Sequence, residues 1–115
     1  MTIFRYYAKY RIMNRVFKAL SDPTRRRVLQ LLRERPMTAG ELADQFDLSK
    51  ATMSAHFGVL RQADLVNAEK RGTTITYELR LSVLEDALLG FADTFGFELK
   101  PHRRPTLNIA VEKEA

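Results

Sequence analysis

The sequence predicts a small, mainly α-helical domain with one β-hairpin, of the α+β class. Three observations predict it. Apolar residues recur at spacings of three and four from Met13 to Leu60, and again from Leu84 to Phe95. Residues suited to capping helices punctuate that pattern at Asp22, Thr38, Ser49 and Ser82. Between the last two, VNAEKRGTTITYELR (66–80) switches to a period of two around an Arg71-Gly72-Thr73-Thr74 turn.

Composition bounds the rest. A chain of 115 residues amounts to about one small domain, with a modest core that dimerisation would help. A hydrophobic fraction of 45% with 29% charged residues is ordinary for a globular protein. The absence of cysteine excludes disulfides, thiolate metal sites and cysteine nucleophiles, and fits a reducing compartment. No apolar run approaches the ~18 residues of a membrane span, so no membrane insertion is expected. MTIFRYYAKYRI has no signal-peptide core, and the expected location is the cytoplasm. Net charge is +5, unevenly placed: residues 1–27 hold eight Lys and Arg against Asp22 alone, and the remainder is slightly acidic. Global charge is therefore weak support for a nucleic-acid partner, and local patterns carry the argument.

Residues 1–12 interleave aromatic and basic side chains and read as an N-terminal extension: an arm touching phosphates or a partner, or else an extra turn of helix or a loose end. In 13–20, Met13, Val16, Phe17 and Leu20 form a short helical stripe. Asp22 and Pro23 open the next helix as N-cap and first residue, with Val28, Leu29, Leu31 and Leu32 inward. Pro36 stops it. Arg25, Arg26 and Arg27 are either phosphate contacts or a solvated face.

MTAGELADQFDLS follows. Thr38 and Glu41 form a capping box, with Met37 and Leu42 at the positions of a hydrophobic staple. Leu42, Ala43 and Phe46 make the inner stripe. Ser49 caps the next helix, with Leu48 and Met53 again at staple positions. Two short helices joined by a tight turn make a helix-turn-helix.

The second of these helices has an unusual face. At ~100° per residue, Met53, Phe57 and Leu60 anchor one side. Opposite stand Ala51, Ala55, Gly58 and Gln62, flanked by Thr52 and Ser54. A DNA major groove is ~12 Å wide and a helix with side chains ~10–12 Å across, so small outer residues let a helix sit deep in it. Alanine suits the thymine methyl group, and Thr52 and Ser54 can bond base edges or phosphates. Lys50, beside the positive helix end, suits a phosphate. The competing reading is packing against another protein helix. His56 lies beside the core stripe, as a hydrogen-bonded structural residue or as a phosphate or base contact.

The hairpin that follows would be the wing of a winged helix. Val66, Ala68 and Lys70, with Ile75, Tyr77 and Leu79, share one side. The tip offers Lys70, Arg71, Thr73 and Thr74 to the sugar-phosphate backbone. SVLEDALLGFADTFGF (82–97) returns to helix, with a Ser82–Glu85 capping box. Leu84, Ala87, Leu88, Phe91 and Phe95 form a stripe, Val83 and Ala92 widen it, and Leu89 stands to one side. So much apolar area on a terminal helix points to a partner surface, most simply a second copy. The expected organisation is an extension (1–12), a winged helix-turn-helix domain (13–97) and a flexible tail (98–115).

The order of elements, with VFKALSDPTRRRVLQLL (16–32), TAGELADQFDLSKATMSAHFGVLRQADLV (38–66) and KRGTTITYEL (70–79), resembles the ArsR family of winged-helix repressors, closest to its SdpR-like, metal-independent branch. The resemblance covers roughly residues 13–97. It implies a homodimer built on the first and last helices, with Val16, Phe17, Leu84, Leu88, Phe91 and Phe95 at the interface. It implies a palindromic double-stranded DNA operator and repression. By matched position, Lys50, Ala51, Thr52, Ser54, Ala55 and His56 face the groove, and Lys70, Arg71, Thr73 and Thr74 form the wing set. There are departures. Metal-sensing relatives use cysteines on the helix that here reads ELADQF, or Asp and His pairs on the last helix. Here the last helix has Glu85, Asp86 and Asp93 without histidine, a poor transition-metal set, so no metal and no cofactor are expected. Gly58 and Asp64 replace the family's usual bulky polar or basic residue and glycine. The alternative function is a winged-helix module that binds protein with little specific DNA binding. An enzyme lacks support: there is no glycine-rich phosphate loop and no Ser–His–carboxylate motif. The inducing signal is not written in the residues; an effector ligand and an anti-repressor protein, membrane-bound or not, both remain open.

Overall fold

The structure, a computed structural model, describes residues 2–100; the rest of the expected tail, with His102, lies outside them. In chain order the elements are α1 (Thr2–Leu20), α2 (Pro23–Glu34), β1 (Met37–Thr38), α3 (Ala39–Ala43), α4 (Lys50–Gln62), β2 (Val66–Arg71), β3 (Thr74–Leu79) and α5 (Leu81–Thr94). Residues 2–12 of the expected extension continue the helix of 13–20 without a break.

Local chemistry sets most boundaries. Asp22 Oδ2 accepts the backbone N–H groups of Thr24 (2.8 Å) and Arg25 (3.2 Å), donors that no helical carbonyl reaches. Pro36 pushes Arg35 into extended backbone (φ −170°, ψ 160°), and α2 ends at Glu34. The capping box forms: Glu41 N–H donates to Thr38 Oγ1 at 3.0 Å, and Thr38 N–H to Glu41 Oε1 at 2.9 Å. The Thr38 N–H, and then the Arg35 guanidinium, hold the Glu41 carboxyl below its ordinary range. α3 is shorter than expected, and Phe46 packs on the core from the turn beyond it. Leu48, at the second staple position, stays 43% exposed and is not tucked in.

Met37 and Thr38 also pair with Tyr77 and Thr76, so the sheet has three antiparallel strands in the order β1-β3-β2. In the hairpin Val66 faces Leu79, Ala68 faces Tyr77 and Lys70 faces Ile75. Gly72 takes φ +62° at the turn, a conformation that glycine reaches without strain. Val66 and Tyr77 are buried, whereas Ala68, on the same side of the hairpin, is exposed.

The expected Ser82–Glu85 box does not form. Arg80 N–H donates to Leu65 O (2.8 Å) and Arg80 O accepts from Val83 N–H (3.1 Å), so α5 starts one residue early and Ser82 falls inside it. At its other end Gly96 adopts φ +77°. Phe97 N–H then reaches Ala92 O (2.8 Å) and Gly96 N–H reaches Asp93 O (3.2 Å), ending the helix at Thr94 and not at 97.

One core gathers these elements: Val16, Ala19, Val28, Leu29, Leu32, Leu42, Met53, Phe57, Leu60, Leu65 and Tyr77. Full burial of each large aliphatic side chain contributes roughly 1.5–3 kcal/mol. Val16, expected at the dimer surface, is 0% exposed in this core and has no surface to offer a second chain. Asp64, in the turn after α4, sits at φ +58°, a left-handed position that Asp tolerates better than most residues.

Candidate nucleic-acid interface

The core side of α4 is Met53, Phe57 and Leu60, all buried. That fixes which side is presented outward. Lys50, Ala51, Thr52, Ser54, Ala55 and Gln62 are exposed, and Gly58 is half-buried. The result is an outward ridge of small side chains with Lys50 at its positive end. Ser49 caps the helix, accepting Thr52 N–H at 3.1 Å. Its hydroxyl also donates to Thr52 Oγ1 at 2.9 Å. That bond occupies one of the two lone pairs of Thr52 Oγ1 and leaves its own hydroxyl proton for another partner.

The wing is held to this helix by stacked rings. Phe57 of α4 and Tyr77 of β3 lie 4.7 Å apart between centroids, tilted by 34°. Burial pushes the Tyr77 hydroxyl pKa up, with Arg61 opposing it, so the ring stays neutral. The tip residues Lys70, Arg71, Thr73 and Thr74 are all exposed. Arg71 Nε lies 3.6 Å from Glu69 Oε1, a solvent-screened pair that leaves the guanidinium free to exchange partners.

His56 is placed differently from the rest of the expected groove set. Its side chain is only 15% exposed, and Nδ1 lies 3.1 Å from Arg25 Nη1. This is the hydrogen-bonded structural position that the sequence left open, and the ring is turned from the outward ridge. The arginine run divides too. Arg25 donates to the carbonyls of Ala19 (2.8 Å) and Lys18 (3.0 Å), and Arg26 to that of Leu20 (2.7 Å). Both close the open end of α1. Arg27 is exposed and donates to Gln30 Oε1 (3.2 Å) on its own helix. No periodicity announces the Arg25–His56 contact, which joins residues far apart in the chain.

The expected partner surface also divides. Leu84 packs on the core. Phe17 is half-buried against Phe91, whereas Leu88, Phe91 and Phe95 are exposed. Ile3 and Tyr7, in helical register with Phe17, are exposed on α1. Among the described residues no group of three or more His, Asp or Glu could hold a metal ion, and no helix is long and apolar enough to cross a membrane.

Known proteins share this arrangement. A helix-turn-helix domain family matches residues 20–69. The transcriptional repressor SdpR of Bacillus subtilis is 46% identical over 76 residues, spanning 66% of this chain and 84% of that protein. The arsenical resistance operon repressor of Staphylococcus aureus is 32% identical over 79 residues, 69% of this chain and 76% of its own. Among solved structures, an ArsR-like transcriptional regulator from Rhodococcus sp. RHA1 superposes with a TM-score of 0.67 at 28% identity, covering 77% of this chain and 83% of that one. These relatives are regulators of transcription, not enzymes, and the helix-turn-helix match over 20–69 takes in α4 and its cap. The chain belongs to the ArsR family of winged helix-turn-helix transcriptional regulators.

Proposed function

We propose that the chain is a homodimeric, metal-independent repressor that reads a palindromic operator in the cytoplasm. Each protomer lays α4 in a major groove, and the two grooves lie about one helical turn apart. The observation that carries the reading is the outward ridge of α4. Ala51, Thr52, Ser54 and Ala55 stand exposed opposite three buried anchors, with no bulk to hold the helix off the base edges. Thr52 and Ser54 supply hydroxyls to the bases or phosphates, Ala51 and Ala55 meet thymine methyl groups, and Lys50 neutralises phosphate. Lys70, Arg71, Thr73 and Thr74 follow the backbone beside the helix. His56 supports the helix from behind. Leu88, Phe91 and Phe95, with Phe17 beneath, form the surface on which the second copy docks. The names of the relatives support repression, as both the Bacillus and Staphylococcus proteins are named repressors.

The test is a titration against the DNA upstream of the chain's own gene and against a scrambled fragment of equal length, over a salt series. Tighter binding to the native fragment, persisting as salt rises, supports a sequence-reading repressor. Equal, weak binding that vanishes with salt would favour a module that docks on protein. Zinc added to the preformed complex is expected to leave affinity unchanged; release would expose a metal site.

A further inference from the structure

Arg25 joins three helices through one guanidinium. It stands on α2. Its Nε and Nη2 donate to the carbonyls of Ala19 (2.8 Å) and Lys18 (3.0 Å) at the end of α1. Neither carbonyl has a partner within α1, although Lys18 O also accepts the N–H (3.2 Å) and the hydroxyl (2.6 Å) of Ser21, and a cation suits that end of the helix. Its Nη1 lies 3.1 Å from His56 Nδ1 on α4. A guanidinium only donates, so a hydrogen bond here requires Nδ1 to accept, which puts the ring proton on Nε2. Asp22 Oδ2 is the competing neighbour. It stands 4.0 Å from the same nitrogen, beyond hydrogen-bond range, and already accepts two backbone N–H groups.

We propose that Arg25 is a positioning residue for DNA binding: it pins the recognition helix to the end of α1 through His56 Nδ1 and does not itself contact phosphate. The inference rests on the DNA-binding reading above. Three of its five N–H donors point inward, and none of these three bonds lies on the outward ridge of α4. Because α1 also carries part of the proposed dimer surface, the same guanidinium links that surface to the helix that reads the bases. A helix in a groove barely wider than itself tolerates little rotation, so loosening this pin misplaces Ala51 and Ser54 together.

The experiment compares the full-length wild type with R25K, H56A and R25K/H56A on the upstream fragment and its scrambled control, over a salt series. Lysine keeps the charge but cannot span two carbonyls and a ring nitrogen as a fork does. R25K is expected to lose about tenfold or more in specific affinity while keeping the wild-type salt slope. H56A should lose a similar factor, and the double variant no more than the larger single loss. Wild-type affinity in R25K overturns the proposal. So does a slope shallower by about 0.9, the mark of a lost phosphate contact, or losses that multiply in the double variant. Nitrogen NMR of His56 in the unmutated protein needs no variant to fold: a bare Nδ1 and protonated Nε2 support the assignment, and a proton on Nδ1 overturns it. Equal binding of both fragments by the wild type sinks the DNA-binding reading and the proposal with it. Selective wild-type binding with an unaffected R25K sinks only the proposal.

Discussion

The rings of Phe17 and Phe91 meet edge to face, with centroids 5.0 Å apart and planes inclined at 66°. That geometry suits the aromatic quadrupole and ties α1 to α5 within one protomer. Phe91 keeps 41% of its surface exposed and continues to Phe95 at 4.9 Å. One ring therefore braces the protomer and forms the middle of the proposed docking surface. Phe91→Glu is expected to give monomers by light scattering and to weaken operator binding on the order of 100-fold, because two half-sites no longer bind as a unit. A dimer mass after the change would remove Phe91 from the interface. Leu89→Glu, on the other side of α5 and 51% exposed, should stay dimeric.

Ser54 stands on the ridge with nothing bulky before it. Arginine there adds length and charge. Ser54→Arg is expected to erase discrimination between operator and scrambled DNA while leaving non-specific binding intact or stronger, since the extra cation still finds phosphate. The measured quantity is the ratio of the two affinities. An unchanged ratio would show that the ridge does not face the groove.

What was legible in the sequence depended on the range of the interaction. The caps at Asp22, Thr38 and Ser49 close within three residues, so their side chains announce them. The same logic failed at Ser82, because Arg80 is held by Leu65, a contact from across the chain. β1 was invisible: two residues have no period, and only Thr76 and Tyr77 make them a strand. The stripe on α1 put Val16 on an apolar side, but did not say whether its own core or a second chain covers it; its own core does. The small face of α4 was legible because its three anchors fix the helix's rotation. The inward turn of His56 was not, since its partner Arg25 is 31 positions away.

Gly58 offers a test of what the ridge lacks. A Cβ built there meets nothing within 4 Å. Gly58→Ala should therefore fold without strain and stabilise α4 by about 0.5–1 kcal/mol, read as a higher denaturant midpoint. Gly58→Lys puts a cation at the same position. It should steepen the salt slope of operator binding by about 0.9 if the position lies over a phosphate. An unchanged slope would place Gly58 away from the DNA backbone.

Asp22 gives the fold a pH dependence whose sign follows from its partners. Burial pushes its carboxyl upward, but the N–H groups of Arg25 and Thr24, with the nearby Arg25 charge, outweigh that and hold it below the ordinary 3.8. The unfolded chain therefore takes up this proton first as pH falls. The stabilisation is complete above the unfolded value and drains away as pH drops through the lower folded one. Asp22→Ala should cost about 1 kcal/mol near neutrality, the usual worth of an N-cap. The gap between the two proteins should narrow once the carboxylate is protonated in both states. Urea unfolding at a series of pH values reads this directly, and a gap that widens in acid would mean that the carboxylate is not what caps α2.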